Sequence, residues 1–209
     1  MSCYNFSMLE KRSTRIILIL VILFLSVCVY LLYLTVNFPK YYPDQTLTLS
    51  ETTRNFLERI TLPIKIARLS WQAPDTEILV PVYGVKVSGI ADSWGAPRPE
   101  DRTHEGQDIF SPKGTPVFSG TYGYVTRIAA TDIGGNIVNI VGAGGRRYYY
   151  AHLDRFAKGL RVGQEVTTDT ILGFVGNTGN AEDTPYHLHL GVYVLRHAID
   201  PLPLLTNRR

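Results

Sequence analysis

A chain of 209 residues with 45% apolar side chains has room for one sizeable domain and flanking segments. Its net charge of +3 sits at one end: Lys11, Arg12, Arg15 and Lys40 face only Glu10, and the rest of the chain is neutral. This charge distribution excludes a basic nucleic-acid-binding domain.

Taken in chain order, residues 1–15 read as a short cytoplasmic segment. Residues 16–36, IILILVILFLSVCVYLLYLTV, form an uncharged run long enough to span a bilayer as one transmembrane helix. Three basic residues precede it and only Lys40 follows closely, so the positive-inside rule exports everything beyond it. A cleaved signal peptide has a shorter apolar core and small residues at its cleavage site, which this run lacks. Cys28 after Leu-Ser-Val resembles a lipoprotein acylation site, but Val27 is bulky and the apolar run continues past the cysteine. The expectation is therefore a retained single-pass anchor, with Cys28 inside it. Cys3 and Cys28 are the only cysteines, so the exported part has neither a disulfide nor a thiolate metal site. A metal there must be held by histidine and carboxylate.

Residues 37–77 read as a linker. Within it Ser50 caps a short predicted helix through Ile60, and Pro63 ends that helix. From residue 78 to 209 the texture changes to short β-rich runs, among them YGYVTRIAA, GGNIVNIVGAGG, RRYYYAHL and YHLHLGVYVL, divided by glycine-containing turns. Such spacing predicts an all-β domain built on an antiparallel sheet or sandwich.

Three clusters in that domain carry chemistry. In HLHLGVY, strand alternation puts His187, His189, Gly191 and Tyr193 on one face, and Leu188, Leu190, Val192 and Val194 on the other. In RTHEGQDIF, His104 and Asp108 would lie about 13 Å apart on a straight strand at ~3.3 Å per residue, so a bend is needed, and Gly106 allows one. In YYYAHLD, His152 ends a tyrosine-rich strand on which Tyr149 and Tyr150 alternate, so that one of them faces any groove. Each cluster alone has a bland reading as hydrogen-bonded surface or core residues, and for His197 that reading stands. Together they suggest a catalytic zinc site of three nitrogen and oxygen ligands with a fourth position for water. The helix-borne His-Glu-x-x-His pattern is absent, so strands and loops must hold the ion.

HEGQD, YYYAHLD, GQEVTTDTILGFVGNTGNA and HLH follow in the order and spacing of the lysostaphin- and LytM-type peptidoglycan endopeptidases, which the chain resembles from Ala91 to Leu205. The resemblance implies a duplicated-hybrid-motif β fold, one Zn2+ held by His104, Asp108 and His189, and His152 and His187 beside the water. It implies hydrolysis of amide bonds in peptidoglycan peptides. Tyr186 stands where the family often has proline or glycine, and Leu190 where it often has phenylalanine, which bears on groove shape. Two other readings remain at this point. One is a catalytically inactive regulator or wall-binding module on the same fold. The other is a zinc hydrolase that trims dipeptides, for which Glu105 is the only nearby glutamate.

Overall fold

The computed structural model describes residues 16–26, 29–30, 51–98 and 101–208, in two compact units divided between Leu49 and Ser50. In the first unit, residues 16–26 and 29–30 are helical. The rest of the expected membrane span, with Cys28, lies outside the described residues. Among those residues no helix is long and apolar enough to cross a membrane.

The second unit opens with helix α1, Glu51–Ser70. This corrects the expected stop: Pro63 lies inside the helix, which continues to Ser70. Proline removes one backbone donor and crowds the preceding turn. Here it sits on the exposed side, while packing of the opposite side holds the helix across it. That inner side buries Leu69, and Glu58 accepts from Arg161 Nε at 2.6 Å and Nη2 at 2.7 Å. The compact unit therefore includes the helix that the sequence reading assigned to a linker.

Strands β1 (Ile78–Leu79), β2 (Pro97–Arg98), β3 (Arg102–Thr103), β4 (Gln107–Phe110), β5 (Pro116–Phe118), β6 (Gly123–Thr131) and β7 (Gly135–Val141) follow. After them come β8 (Arg147–Phe156), β9 (Glu165–Val166), β10 (Ile171–Val175), β11 (His187–Val194), β12 (His197–Ile199) and β13 (Leu205–Thr206). Nine strands make one antiparallel sheet with a central path β12-β11-β8-β7-β6-β9; β4 pairs with β11, and β10 pairs with both β8 and β5. The expected antiparallel β architecture is present, with one exception. β1 and β13 pair in parallel and close the domain's two ends on each other.

Alternation builds the core. Val125, Val138, Ile140, Tyr148, Tyr150, Leu188, Leu190 and Val192, from four neighbouring strands, are fully buried on one side. The segment after α1 is tied to this core through Asp75, whose carboxylate accepts from Thr121 Oγ1 at 2.7 Å and from the Tyr148 hydroxyl at 2.9 Å. The other side of the β4–β11–β8 region faces a cleft of about 820 Å³.

Candidate active site

Strand register brings the first two candidate ligands together. His189 on β11 is opposite Asp108 on β4 and, across its other edge, opposite Ala151 on β8. Side chains directly opposite in an antiparallel pair share a face, with Cβ atoms about 4.5–5.5 Å apart. The row Asp108–His189–Ala151 thus lies along the cleft, while Leu188 and Leu190, on either side of His189 along β11, enter the core. His104 arrives from the loop between β3 and β4, which bends at Gly106. The glycine has a second reason: a Cβ there would stand 2.5 Å from His189 Cε1.

The ring nitrogens have defined roles. His104 Nδ1 lies 2.6 Å from the Ser93 carbonyl, which only accepts, so Nδ1 carries the proton and Nε2 a lone pair. That lone pair is aimed at Asp108 Oδ1, 3.0 Å away, and at His189 Nδ1, 2.8 Å away; His189 Nδ1 is also 3.0 Å from Asp108 Oδ1. Three potential ligand atoms thus converge on a point. An ion bonded to each at about 2.0–2.1 Å would space them roughly 3.3 Å apart, so a few tenths of an ångström of opening admits it. The donor set fits zinc, and it lacks the all-oxygen shell of magnesium or calcium.

The surroundings prepare that set. Burial alone would raise the Asp108 pKa, but the hydrogen bonds to His104 and His189 outweigh it and hold the carboxyl far below the usual range. Its outer oxygen accepts from Arg98 Nη2 at 2.8 Å, and its backbone N–H donates to Ser93 Oγ at 2.9 Å. Burial pushes the His189 pKa down, keeping the imidazole neutral as a ligand must be.

His152 reaches the cleft by another route. Simple alternation after Tyr150 and Ala151 would send it to the core face. Between Asn136↔Leu153 and Val138↔Tyr150 the register slips by one residue, so Ala151 and His152 together oppose Ile137. His152 takes a left-handed φ of 60°, sparsely populated for a residue with a Cβ, and both side chains emerge on the cleft side. The bulge is braced. Asn136 Nδ2 donates to the carbonyls of Leu153 and Asp154, and Thr178 Oγ1 donates to that of Leu153. The Thr178 carbonyl accepts from His152 Nδ1 at 2.8 Å, leaving Nε2 as the free lone pair. Burial lowers the His152 pKa to about 4, so its ring is neutral near pH 7.

His187 repeats the tautomer logic. Its Nδ1 donates to the Pro185 carbonyl at 2.8 Å, its ring centroid lies 5.1 Å from that of His152, and its Nε2 is 3.8 Å from Asp108 Oδ1. All five histidine and aspartate candidates line the same cleft. His197 is exposed on β12 and lies outside that lining. Of the tyrosine pair, Tyr149 faces the cleft with its ring edge toward His189, while the buried Tyr150 hydroxyl accepts from Gly120 N–H. Leu190 is fully buried and Tyr186 is absent from the cleft lining, so neither shapes the groove floor. Glu105 lines the cleft and is exposed.

Sequence reasoning missed Ser93, Arg98, Asn136 and Thr178. Asn136 and Thr178 each sit beside a glycine with positive φ, Gly135 and Gly179, in the GGN and NTG turns, the one signal that could have singled them out.

With this geometry in view, residues 102–201 match the model of peptidase family M23. Residues 102–201 are a peptidase family M23 domain. An L-Ala–D-Glu endopeptidase of Bacillus subtilis is 38% identical over 113 residues, which is 50% of this chain and 35% of the relative. A DD-carboxypeptidase/endopeptidase Mpg of Neisseria meningitidis serogroup B is 34% identical over 120 residues, 57% of this chain and 25% of the relative. A zinc-containing peptidase from Vibrio cholerae superposes with a TM-score of 0.52 at 26% identity, covering 63% of this chain and 40% of that one. The chain thus spans about a third or less of the curated relatives it matches. The stretch that matches the family model contains His104, Asp108, His152, His187 and His189.

Proposed function

We propose that this chain is a membrane-anchored zinc metalloendopeptidase that hydrolyses amide bonds in the peptide part of peptidoglycan. The observation that carries the reading is the convergence of His104 Nε2, Asp108 Oδ1 and His189 Nδ1 within 3.0 Å of one another, with two further imidazoles in the same cleft. His104, Asp108 and His189 would hold the ion. When bound, zinc polarises the scissile carbonyl and acidifies the attacking water.

The remaining chemistry belongs to the chain. His152 and His187 each spend their Nδ1 proton on a backbone carbonyl, so both present an unprotonated Nε2 to the cleft. An imidazole in that state takes the proton from the attacking water and returns it to the leaving amine. The imidazolium so formed donates a hydrogen bond to the developing oxyanion. Arg98 fixes the outer oxygen of Asp108 and leaves the inner one to the ion. The apolar run 16–36 would hold the domain on the exported side of the membrane, within reach of the wall.

The two relatives differ in the bond their names specify, so membership alone does not choose the bond. The test is a digest of purified muropeptides by the zinc-loaded chain, read by mass spectrometry. New amine and carboxyl termini within the stem or cross-link peptide are expected, and they must vanish in His189→Ala. Intact muropeptides with a zinc-loaded, folded chain would contradict the enzymatic reading and favour a wall-binding module.

A further inference from the structure

Helix α1 is apolar on two sides, and the domain covers only one of them. Its inner side, with Glu58, Leu62, Lys65, Ile66 and Leu69, repeats at three- and four-residue spacing and packs on the sheet domain. Glu58 makes the two-pronged pair with Arg161, and the Lys65 ammonium lies 5.2 Å over the Tyr124 ring. Opposite them stands a second stripe. Phe56, Ile60 and Ile64, at successive four-residue steps, are 61%, 53% and 72% exposed. Trp71, just past the helix end, is 89% exposed. Four large apolar side chains in a row facing solvent are unusual on a soluble domain and mark an interaction surface.

Three observations identify the occupant. The stripe is flanked by the exposed Arg54, Arg59 and Arg68, while the acidic Glu58 is turned inward to Arg161. An apolar stripe ending in tryptophan and edged with arginines has the composition of a helix lying in a bilayer interface. Finally, only residues 37–50 separate α1 from the apolar run 16–36. Fourteen residues extend at most about 50 Å, so a chain anchored by that run keeps α1 close to the membrane surface.

We propose that the outer face of α1 docks on the lipid surface of the membrane in which residues 16–36 are anchored, with Phe56, Ile60, Ile64 and Trp71 inserted at the interface and the three arginines on anionic headgroups. The proposal rests on the anchor reading. Because the inner side of α1 is ion-paired and packed to the sheet domain, lipid contact restrains the whole domain. The catalytic cleft is then held at a set height above the bilayer.

The test uses the full chain reconstituted in vesicles of phosphatidylcholine and phosphatidylglycerol. Trp71 and Trp94 are the only tryptophans, so Trp94→Phe leaves Trp71 as the reporter. Flotation reports anchoring, and lipid brominated on its acyl chains reports the depth of Trp71. The expected result is a floating chain with blue-shifted, quenched Trp71 emission. The doubly substituted chain Ile60→Glu, Ile64→Glu should float equally and lose both the shift and the quenching. A chain that floats with Trp71 unquenched would overturn the docking while leaving the anchor intact. A blue shift without quenching, fading as the chain is diluted into more lipid, would assign the face to a second copy and also overturn it. A folded chain that does not float would sink anchor and docking together.

Discussion

The two halves of the candidate site are built by opposite means. Asp108 and His189 meet because β4 and β11 pair in regular register, and each side chain points where strand alternation sends it. His152 meets them because β8 departs from regularity, with an extra residue and a left-handed φ of 60°. The regular ladder brings together two of the three candidate ligands, and the loop that bends at Gly106 adds His104. His187 reaches the cleft by the same regular alternation on β11, whereas His152 gets there only through a local distortion held by side chains of other strands. The comparison teaches that the Asp108–His189 pair draws its placement from the sheet, whereas His152 draws on a small hydrogen-bond scaffold centred on Asn136 and Thr178.

The sharpest way to separate the halves is to remove the His152 ring without disturbing its backbone. Asparagine tolerates the left-handed region better than other non-glycine residues, so His152→Asn keeps the bulge. It should lower kcat on a muropeptide by about 10²–10⁴, the range for a positioned acid–base group, with zinc content unchanged. Zinc loss in this variant would join the two halves into one, against the account.

Acid should weaken the same ring's contribution to folding. The His152 pKa falls from 6.5 in the unfolded chain to about 4 in the folded one, through burial. As pH drops, protons therefore bind the unfolded chain first. The contribution is complete above pH 6.5 and is lost as pH falls toward 4, amounting to about 3 kcal/mol at about 1.4 kcal/mol per unit. His189, also pushed down by burial, adds in the same direction. Thermal melts of the metal-free chain between these limits should show the loss, and His152→Asn should flatten the slope. An equal slope in that variant would refute the assignment to His152.

A smaller effect should follow from loosening the scaffold. Asn136→Ala leaves the Leu153 and Asp154 carbonyls without the donor Asn136 supplies and should cost about 1–3 kcal/mol of stability. If the halves are separate, kcat should fall while zinc affinity stays put, as titration calorimetry and steady-state rates would read. Affinity falling in step with kcat would instead blur the distinction.

How much of this was legible in the sequence follows the same division. Alternation in HLHLGVY correctly separated the buried Leu188, Leu190 and Val192 from the cleft-facing His187, His189 and Tyr193, because period-two patterning is a direct image of the pleat. The bend between His104 and Asp108 was readable from their spacing and Gly106, although the clearance Gly106 gives the His189 ring was not, since that ring comes from 83 residues further on. The bulge at His152 left no local mark; β8 reads RYYYAHLDRF without a glycine, and the residues that impose its bulge lie on β7 and the turn after β10. Arg98 and Ser93 were equally silent, being ordinary polar residues in loops or short edge strands that act through one contact for Arg98 and two for Ser93. The end of α1 was misjudged because proline predicts a stop from local backbone chemistry, whereas packing of Leu62, Ile66 and Leu69 on the domain carries the helix onward.

The central claim is that one ion is held by His104, Asp108 and His189 while His187, two residues from His189 on the same strand face, stays off it. Zinc titration of His187→Ala and His189→Ala beside the unaltered chain tests this most directly, because the two substitutions are chemically identical. The account predicts one tightly bound zinc in the unaltered chain and in His187→Ala, and none in a folded His189→Ala. Zinc retained by His189→Ala and lost from His187→Ala would contradict it.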